Sequence, residues 1–374
     1  MPNKAHKTIY KYKVSVLSPI HIGSGNSFEL NYNIFYKNGF LYLYNEFQIV
    51  DFLQEQGFGK IESNVVKTNL IEKISPIRKI KNSFCKIGES PILEHTSSQN
   101  TSNSISQNIL YPYIPGPYIP GSSIKGSLRT AILNALILNS KTCMDMFNIL
   151  NKNIKDSIKQ DKFVTLKNAN KKNNEKTFYN NEYDKDFVKI FRCLNVSDSM
   201  GKLDTKIYKT INLKIGEDKH NPNTEISNYV ECIIPNQTFE ITIADTSSNF
   251  FKKEMFGNLG EICKEFYQSF FDYEKPLLNK INFDNTIIKD IINKDHKNYL
   301  SNQCFLLNVG RFSGAEKKSF NEKYRNIETC KKKKFHYQES STTKNYALES
   351  HIENDQIARD MLLPFGWLLF EKIN

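Results

Sequence analysis

The densest run of residues able to do chemistry is Tyr118-Ile119-Pro120-Gly121-Ser122-Ser123-Ile124-Lys125-Gly126-Ser127-Leu128-Arg129-Thr130. Prolines forbid helix as far as Pro120, and Ser122 or Ser123 can cap a helix running from there to about Leu138. A helix start carries unpaired backbone N–H groups and a partial positive charge. Gly121 and Gly126 allow an anion to come close, and the Ser122 and Ser123 hydroxyls add donors. Lys125 and Arg129 lie four apart and so share a helical face. The combination suits a phosphate. It also fits a plain capped helix with solvated cations, and Arg129 can equally anchor a carboxylate inside the fold.

Two further loops carry similar chemistry. In Ser18-Pro19-Ile20-His21-Ile22-Gly23-Ser24-Gly25, His21 can donate to a phosphate, stack on a base or exchange a proton, or it can pack against a neighbouring helix. In Gly310-Arg311-Phe312-Ser313-Gly314, followed by Lys317 and Lys318, glycines permit close backbone approach and Arg311 can pair with phosphate. Phe312 can stack on a base or fill the core of a tight turn. The run Lys331–Lys334 reads as a loop that is either merely solvated or adds sequence-independent attraction to a polyanion.

Several chemistries are not signalled. Neither GxGxxG nor GxxxxGK[ST] occurs, so no nucleotide site is expected. The seven cysteines are scattered without a CxxC pair, which speaks against a zinc cluster and for reduced thiols. Neither a metal nor a cofactor is expected. Over 374 residues the formal net charge is +11, a balance that favours an anionic partner. The excess of Asn, Lys and Ile can also reflect genome composition. The N-terminus lacks the apolar segment of a signal peptide and no apolar run is long enough to span a bilayer, so a cytoplasmic protein without membrane contact is expected.

These loops need elements to hold them. Lys7–Leu17 alternates as a strand, with Tyr10, Tyr12, Val14 and Val16 on one face. Residues 32–37 and 40–44 flank Asn38-Gly39 as a hairpin. Asn45 can cap a helix to about Gln56 with Phe47, Val50 and Leu53 as its apolar stripe and Gly57 as its stop. A second helical stretch spans 60–74. Residues 95–108 are polar and low in complexity and read as a mobile loop, and 151–185 read as irregular. Ile124, Leu128, Ala131, Ile132, Ala135 and Leu138 line the buried face of the helix after Pro120. Strands are expected at 190–196, 226–234, 239–243, 305–309 and 366–373, with a long helix over 249–273. The two halves look alike. The expected fold class is therefore α+β, with two RRM-like (ferredoxin-like) domains over 1–186 and 187–374, each an antiparallel sheet backed by helices.

The run Tyr118 to Ala131 closely resembles the signature of RAMP proteins, the RRM-like subunits of CRISPR effector complexes. Leu17 to Gly25 looks like the family's loop after its first strand, and Cys193 to Ser199 like a strand that opens the later part. Asn308 to Ser319 is similar to its C-terminal glycine-rich loop, and Leu363 to Trp367 to its closing strand. These anchors span the chain. Length and motif order are most similar to the fifth subunit of the type III-A (Csm) complex. The resemblance implies a non-catalytic role in antiviral defence: binding and capping the 3′ part of the guide crRNA and supporting its 3′-end maturation. The implied partners are crRNA, the neighbouring Csm RAMP backbone subunit, the small helical subunit and host 3′-5′ exonucleases. The RNA-binding set it implies is His21, Gly23, Ser24, Gly121, Ser122, Ser123, Lys125, Gly126, Arg129, Gly310, Arg311, Phe312, Ser313, Gly314, Lys317 and Lys318. Family members that cut target RNA carry an Asp shortly after the first glycine loop. Here that stretch offers only Glu29, and His21 shows no partner, so the rival reading of a RAMP endoribonuclease lacks its carboxylates.

Overall fold

A computed structural model describes residues 8–29, 33–55, 57, 73–81, 104–108, 116–138, 163–165, 191–214, 219–220, 228–246, 257–293, 300–318, 325–331, 334–338, 343–349 and 357–373. Its centre is a five-stranded sheet in the order Cys304–Asn308, Trp367–Ile373, Thr8–Val16, Thr238–Asp245, Leu194–Val196, with every neighbouring pair antiparallel. Along the chain the elements run strand Thr8–Val16, helix Gly121–Leu138, strands Leu194–Val196 and Thr238–Asp245, helix Leu259–Glu274 and strand Cys304–Asn308. That is a ferredoxin-like βαββαβ unit with one addition, because the closing strand Trp367–Ile373 slots between the first strand and Cys304–Asn308.

The alternation read in the first strand places Tyr12, Val14 and Val16 in the core, while Lys11 and Lys13 face water. The two helices pack on each other and on this sheet. Gly121–Leu138 buries Ile124, Leu128, Ala131, Ile132 and Ala135, and Leu259–Glu274 buries Ile262, Cys263, Phe266, Tyr267 and Phe271. Trp367 sits edge-on to Phe271 and Tyr267, at ring distances of 5.1 and 6.3 Å.

The segments inserted between these elements form a second, nine-stranded sheet. It takes Gly23–Glu29, Ile34–Lys37, Phe40–Leu43, Arg78–Lys81 and Ser104–Asn108 from the first crossover. Thr205–Lys214 and Tyr229–Ile233 come from the second, and Thr343–Leu348 and Leu362–Pro364 from the last. Asn38 and Gly39 turn the hairpin with φ of 51° and 77°, both positive, as a two-residue turn of this kind requires. The boundary expected near residue 186 lies outside the described residues. Strands from either side of it share both sheets, and one ferredoxin-like unit is complete among the described residues.

Other expectations need adjustment. Within 95–108, Ser104–Asn108 is a strand with Ile105 buried, since its one isoleucine and Asn108 point inward. Helix Glu46–Glu55 buries Ile49, Phe52 and Leu53, and leaves Phe47 78% and Val50 48% exposed. In the run Lys331–Lys334, Lys331 and Lys334 are paired as residues of two antiparallel strands, and Lys332 and Lys333 lie outside the described residues. Phe163–Thr165, in the stretch read as irregular, adds a parallel strand to that pair. Thr205–Lys214 and Thr343–Leu348 are strands that the sequence reading did not contain. The helix expected over 60–74 lies almost wholly outside the described residues, as does the first part of 249–273.

The start of helix Gly121–Leu138 is capped differently from the serine cap expected. The Gly121 N–H donates to the Asp198 carboxylate at 2.7 Å, and the Ile119 N–H to the Ser199 hydroxyl at 2.9 Å. Backbone packs on backbone here: a Cβ on Gly121 would stand 2.2 Å from the Val196 carbonyl oxygen, whereas one on Gly126 would meet nothing within 4 Å. Gly121→Ala is therefore expected to destabilise the chain by about 1–3 kcal/mol through overpacking. Gly126→Ala should be neutral or stabilising by up to about 1 kcal/mol, because alanine is the better helix former. Urea unfolding of both variants checks this, and equal midpoints would contradict the packing described.

Candidate functional site

Three loops meet at one end of the central sheet: 17–22 after the first strand, 309–314 after Cys304–Asn308, and 365–366 before the closing strand. Backbone hydrogen bonds knit them together. The Arg311 N–H donates to the His21 carbonyl at 2.7 Å, the Gly366 N–H to the Pro19 carbonyl at 2.9 Å, and the Val309 N–H to the Gly366 carbonyl at 2.8 Å. Gly310 has φ of 84°, and a Cβ on it would stand 2.6 Å from the His21 carbonyl oxygen, so only glycine fits there. The Ser127 hydroxyl donates to the Asn308 carbonyl at 2.7 Å, which ties the early turns of helix Gly121–Leu138 to the same loop.

His21 lies at the base of this cluster with no exposure to solvent. Its Nδ1–H donates to the Glu231 carbonyl at 2.7 Å, which fixes the neutral tautomer with the lone pair on Nε2. Nε2 is buried without a hydrogen bond. Burial, aided by the Arg311 charge and opposed by the hydrogen bond and charge of Glu231, holds the imidazole below the ordinary histidine value. Phe312 is wedged between the His21 and Phe365 rings at 5.8 and 5.4 Å, half-buried, with φ of 66°. Phe312 thus fills a tight turn, the reading that competed with base stacking, and His21 packs against a loop ring and a strand carbonyl rather than against a helix.

Glu231, directly beneath, is fully buried. Its carboxylate pairs with Arg78 and accepts hydrogen bonds from the Thr205 hydroxyl at 2.8 Å and the Asn108 N–H at 3.1 Å. The Asn108 side-chain oxygen in turn accepts from the Ile22 N–H at 2.7 Å. A second buried pair stands on the other side: Lys317 Nζ lies 2.6 Å from Glu274 Oε2, which also accepts from Trp367 Nε1 at 2.8 Å. Sequence reasoning missed Glu231, Arg78, Asn108, Asp198 and Glu274, all distant in the chain from the glycine loops. Glu231 alone is marked in the sequence, by its charge within the otherwise apolar Tyr229–Ile233.

The sixteen residues expected to bind RNA therefore divide. Gly23 and Ser24 are exposed at the mouth of the first loop, Arg311 and Lys318 are exposed on the third, and Ser122 and Gly126 are exposed on the helix. Gly310, Gly314 and Ser123 are partly covered, and Ser313 is buried with its hydroxyl donating to the Gly310 carbonyl at 2.9 Å. Lys317 is buried and ion-paired, and the Gly121 N–H is taken by Asp198. Lys125 and Arg129 lie toward the Phe191–Cys193 segment. The Arg129 guanidinium is 5.7 Å from the Phe191 ring, and Lys125 is half-buried, with desolvation lowering its pKa. Lys318 is exposed as a residue, yet its ammonium is pushed down to about 8, first by desolvation and then by the charges of Lys317 and Arg311. What remains toward solvent is a rigid, glycine-lined, cationic end. Arg311 and Lys318 are the groups there suited to a phosphate. Among the described residues, no three His, Cys, Asp or Glu side chains are grouped to hold a metal ion.

A model of the RAMP superfamily matches residues 13–351, and the chain belongs to that superfamily. A chain in the cryo-EM structure of a Csm–crRNA–target RNA ternary complex from a type III-A CRISPR-Cas system has a similar fold. Its TM-score is 0.56 at 16% identity, covering 97% of this chain and 100% of that one. The crystal structure of T. onnurineus Csm5 is similar at TM-score 0.47 and 16% identity, covering 95% of this chain and 99% of that one. No curated protein sequence matches.

The burial of His21 makes a pH prediction. Its folded pKa lies below the unfolded value, so the unfolded state takes up the proton first. Stability should be complete above about pH 6.5 and fall as pH drops below it. In His21→Ala that component of the acid sensitivity should vanish, while stability at neutral pH falls by about 2–4 kcal/mol. Denaturant unfolding at pH 5.5 and 7.5 checks both. An unchanged stability at pH 7.5 would contradict the buried placement.

Proposed function

We propose that this chain is a non-catalytic, RNA-binding subunit of a type III-A CRISPR effector complex, seated on the 3′ part of the guide RNA and supporting maturation of that end. The observation carrying the reading is the fold match, over nearly the full length of both chains, to a chain of a Csm–crRNA–target RNA complex. The exposed cations and open glycine mouth at the loop end add the chemistry. A guide spacer varies in sequence, so binding there must rest on backbone contacts rather than on base edges. Partner subunits and trimming exonucleases belong to the same proposal, as does the absence of catalysis. The proposal is non-catalytic because the sequence offers only Glu29 where cutting relatives carry a loop Asp, and because His21 is held neutral among packed groups.

Deleting the chain is expected to leave guide 5′ ends unchanged and to alter the 3′ ends, which sequencing of guide RNAs reads directly. Unaltered 3′ ends in normally assembled complexes would contradict the assignment. Purified protein should show no ribonuclease activity. Cleavage that survives stringent purification and disappears in Glu29→Ala would favour the endonuclease reading.

At the loops, Arg311→Glu with Lys318→Glu should weaken RNA binding and reduce the slope of log affinity against log salt by about one unit per lost phosphate contact. Because Lys318 titrates near 8 in the free protein, affinity should also fall as pH rises through about 8. Lys318→Arg, which stays charged, should remove that fall. Anisotropy titrations at pH 7 and 9 measure both effects, and wild-type behaviour in all these variants would sink the loop site.

A further inference from the structure

Away from the loop cluster, the outer part of the nine-stranded sheet carries a second aromatic and basic surface. Register sets Lys37, Phe40 and Lys81 in one cross-strand row and Phe35, Tyr42 and Lys79 in the next. Phe35 is buried there in a cluster with Ile49, Phe52 and Leu53 of helix Glu46–Glu55, and Tyr42 packs against that cluster, so the open part of the face centres on Phe40, Lys79 and Lys81. Residues opposed in this way project from the same face. The other face of these strands buries Ile34, Leu41, Leu43 and Ile80 and sends Arg78 to Glu231. On the outward face Phe40 and Tyr42 are half-exposed, and Lys79 and Lys81 are exposed. Lys79 Nζ stands 3.9 Å from the Phe40 ring centroid and 5.3 Å from that of Tyr42. Neither residues 34–43 nor 77–81 contain an Asp or Glu, so these strands add no carboxylate of their own beside Lys79 and Lys81.

Part-exposed rings in an acid-free strip of lysines supply the two elements that hold single-stranded nucleic acid whatever its sequence. Ring faces take bases, and ammonium groups take the phosphates between them. We propose that this sheet face is a second contact for single-stranded RNA, separate from the loop cluster and independent of the guide-end assignment. A base laid on Phe40 takes the place of the Lys79 ammonium over the ring and passes that cation to the adjoining phosphate. Long lysine stems make this exchange without backbone movement. An acidic protein surface would satisfy the lysines but leave the two rings unused, so RNA fits the face better.

The test uses the full chain and a labelled oligouridylate of about a dozen nucleotides, a length within the range a single-strand groove accommodates. Lys79→Glu with Lys81→Glu should weaken binding about tenfold, and Phe40→Leu, which keeps apolar volume but removes the π-face, by several-fold. Melting temperatures, read alongside, should match wild type. In an Arg311→Glu, Lys318→Glu background the same losses should persist, since the two surfaces act separately. If the loop variants keep full affinity while the sheet variants lose it, the loop site fails and this one stands. Unchanged affinity in the Lys79→Glu, Lys81→Glu protein overturns the proposal. So does retained RNA affinity together with loss of a co-purifying subunit, which would make the face a protein dock.

Discussion

A carboxylate shut away from water must be neutralised by the protein itself, and Glu231 imposes that condition on everything around it. Removing one partner from such a pair leaves an uncompensated buried charge, at a cost of about 3–5 kcal/mol. Arg78 supplies the countercharge from one inserted strand, Thr205 a hydroxyl from another, and Asn108 a backbone donor from a third. The Glu231 carbonyl in turn holds His21. One side chain and one peptide group thus join the second sheet to the first glycine loop. The arrangement forms only when segments separated by more than a hundred residues are in register.

The loop end inherits its rigidity from this. His21 is neutral and clamped, so its carbonyl is fixed, and the Arg311 N–H and the glycine at 310 are placed against it. On the far side Glu274, Lys317 and Trp367 close a second buried polar knot beneath the same loops. The glycines and serines of the motifs serve largely to let backbone meet backbone, and the groups left facing solvent are few and cationic. A surface of this kind is preorganised to receive a polyanion without first losing conformational freedom.

Much of the architecture is written locally. The first strand's alternation and the Asn38-Gly39 turn carry period and turn chemistry within a few residues, as does the helix after Pro120, and they appear as read. Helix Glu46–Glu55 shows where that stops. It is apolar at 47, 49, 50, 52 and 53, an arc too wide for periodicity to select the face that meets Phe35 and Tyr44. The cap of helix Gly121–Leu138 comes from Asp198, and Lys317 is withdrawn from solvent by Glu274. No local pattern announces either partner. Strand order is equally non-local: the closing strand enters between two others, a choice made by long-range packing of Trp367 against Phe271 and Tyr267. Two loops of the candidate site, around His21 and Arg311, were therefore legible, but the third, before the closing strand, was read only as part of that strand, and which cations remain free was not legible.

The claim that these loops face guide RNA is tested most directly by ultraviolet crosslinking of the assembled effector complex, with mass spectrometry of the crosslinked peptides and sequencing of the attached RNA. The account predicts crosslinked peptides covering 308–318 and 17–29, joined to nucleotides in the 3′ part of the guide. Crosslinks from these peptides to the guide's 5′ end, or to no RNA while other subunits crosslink efficiently, would contradict it.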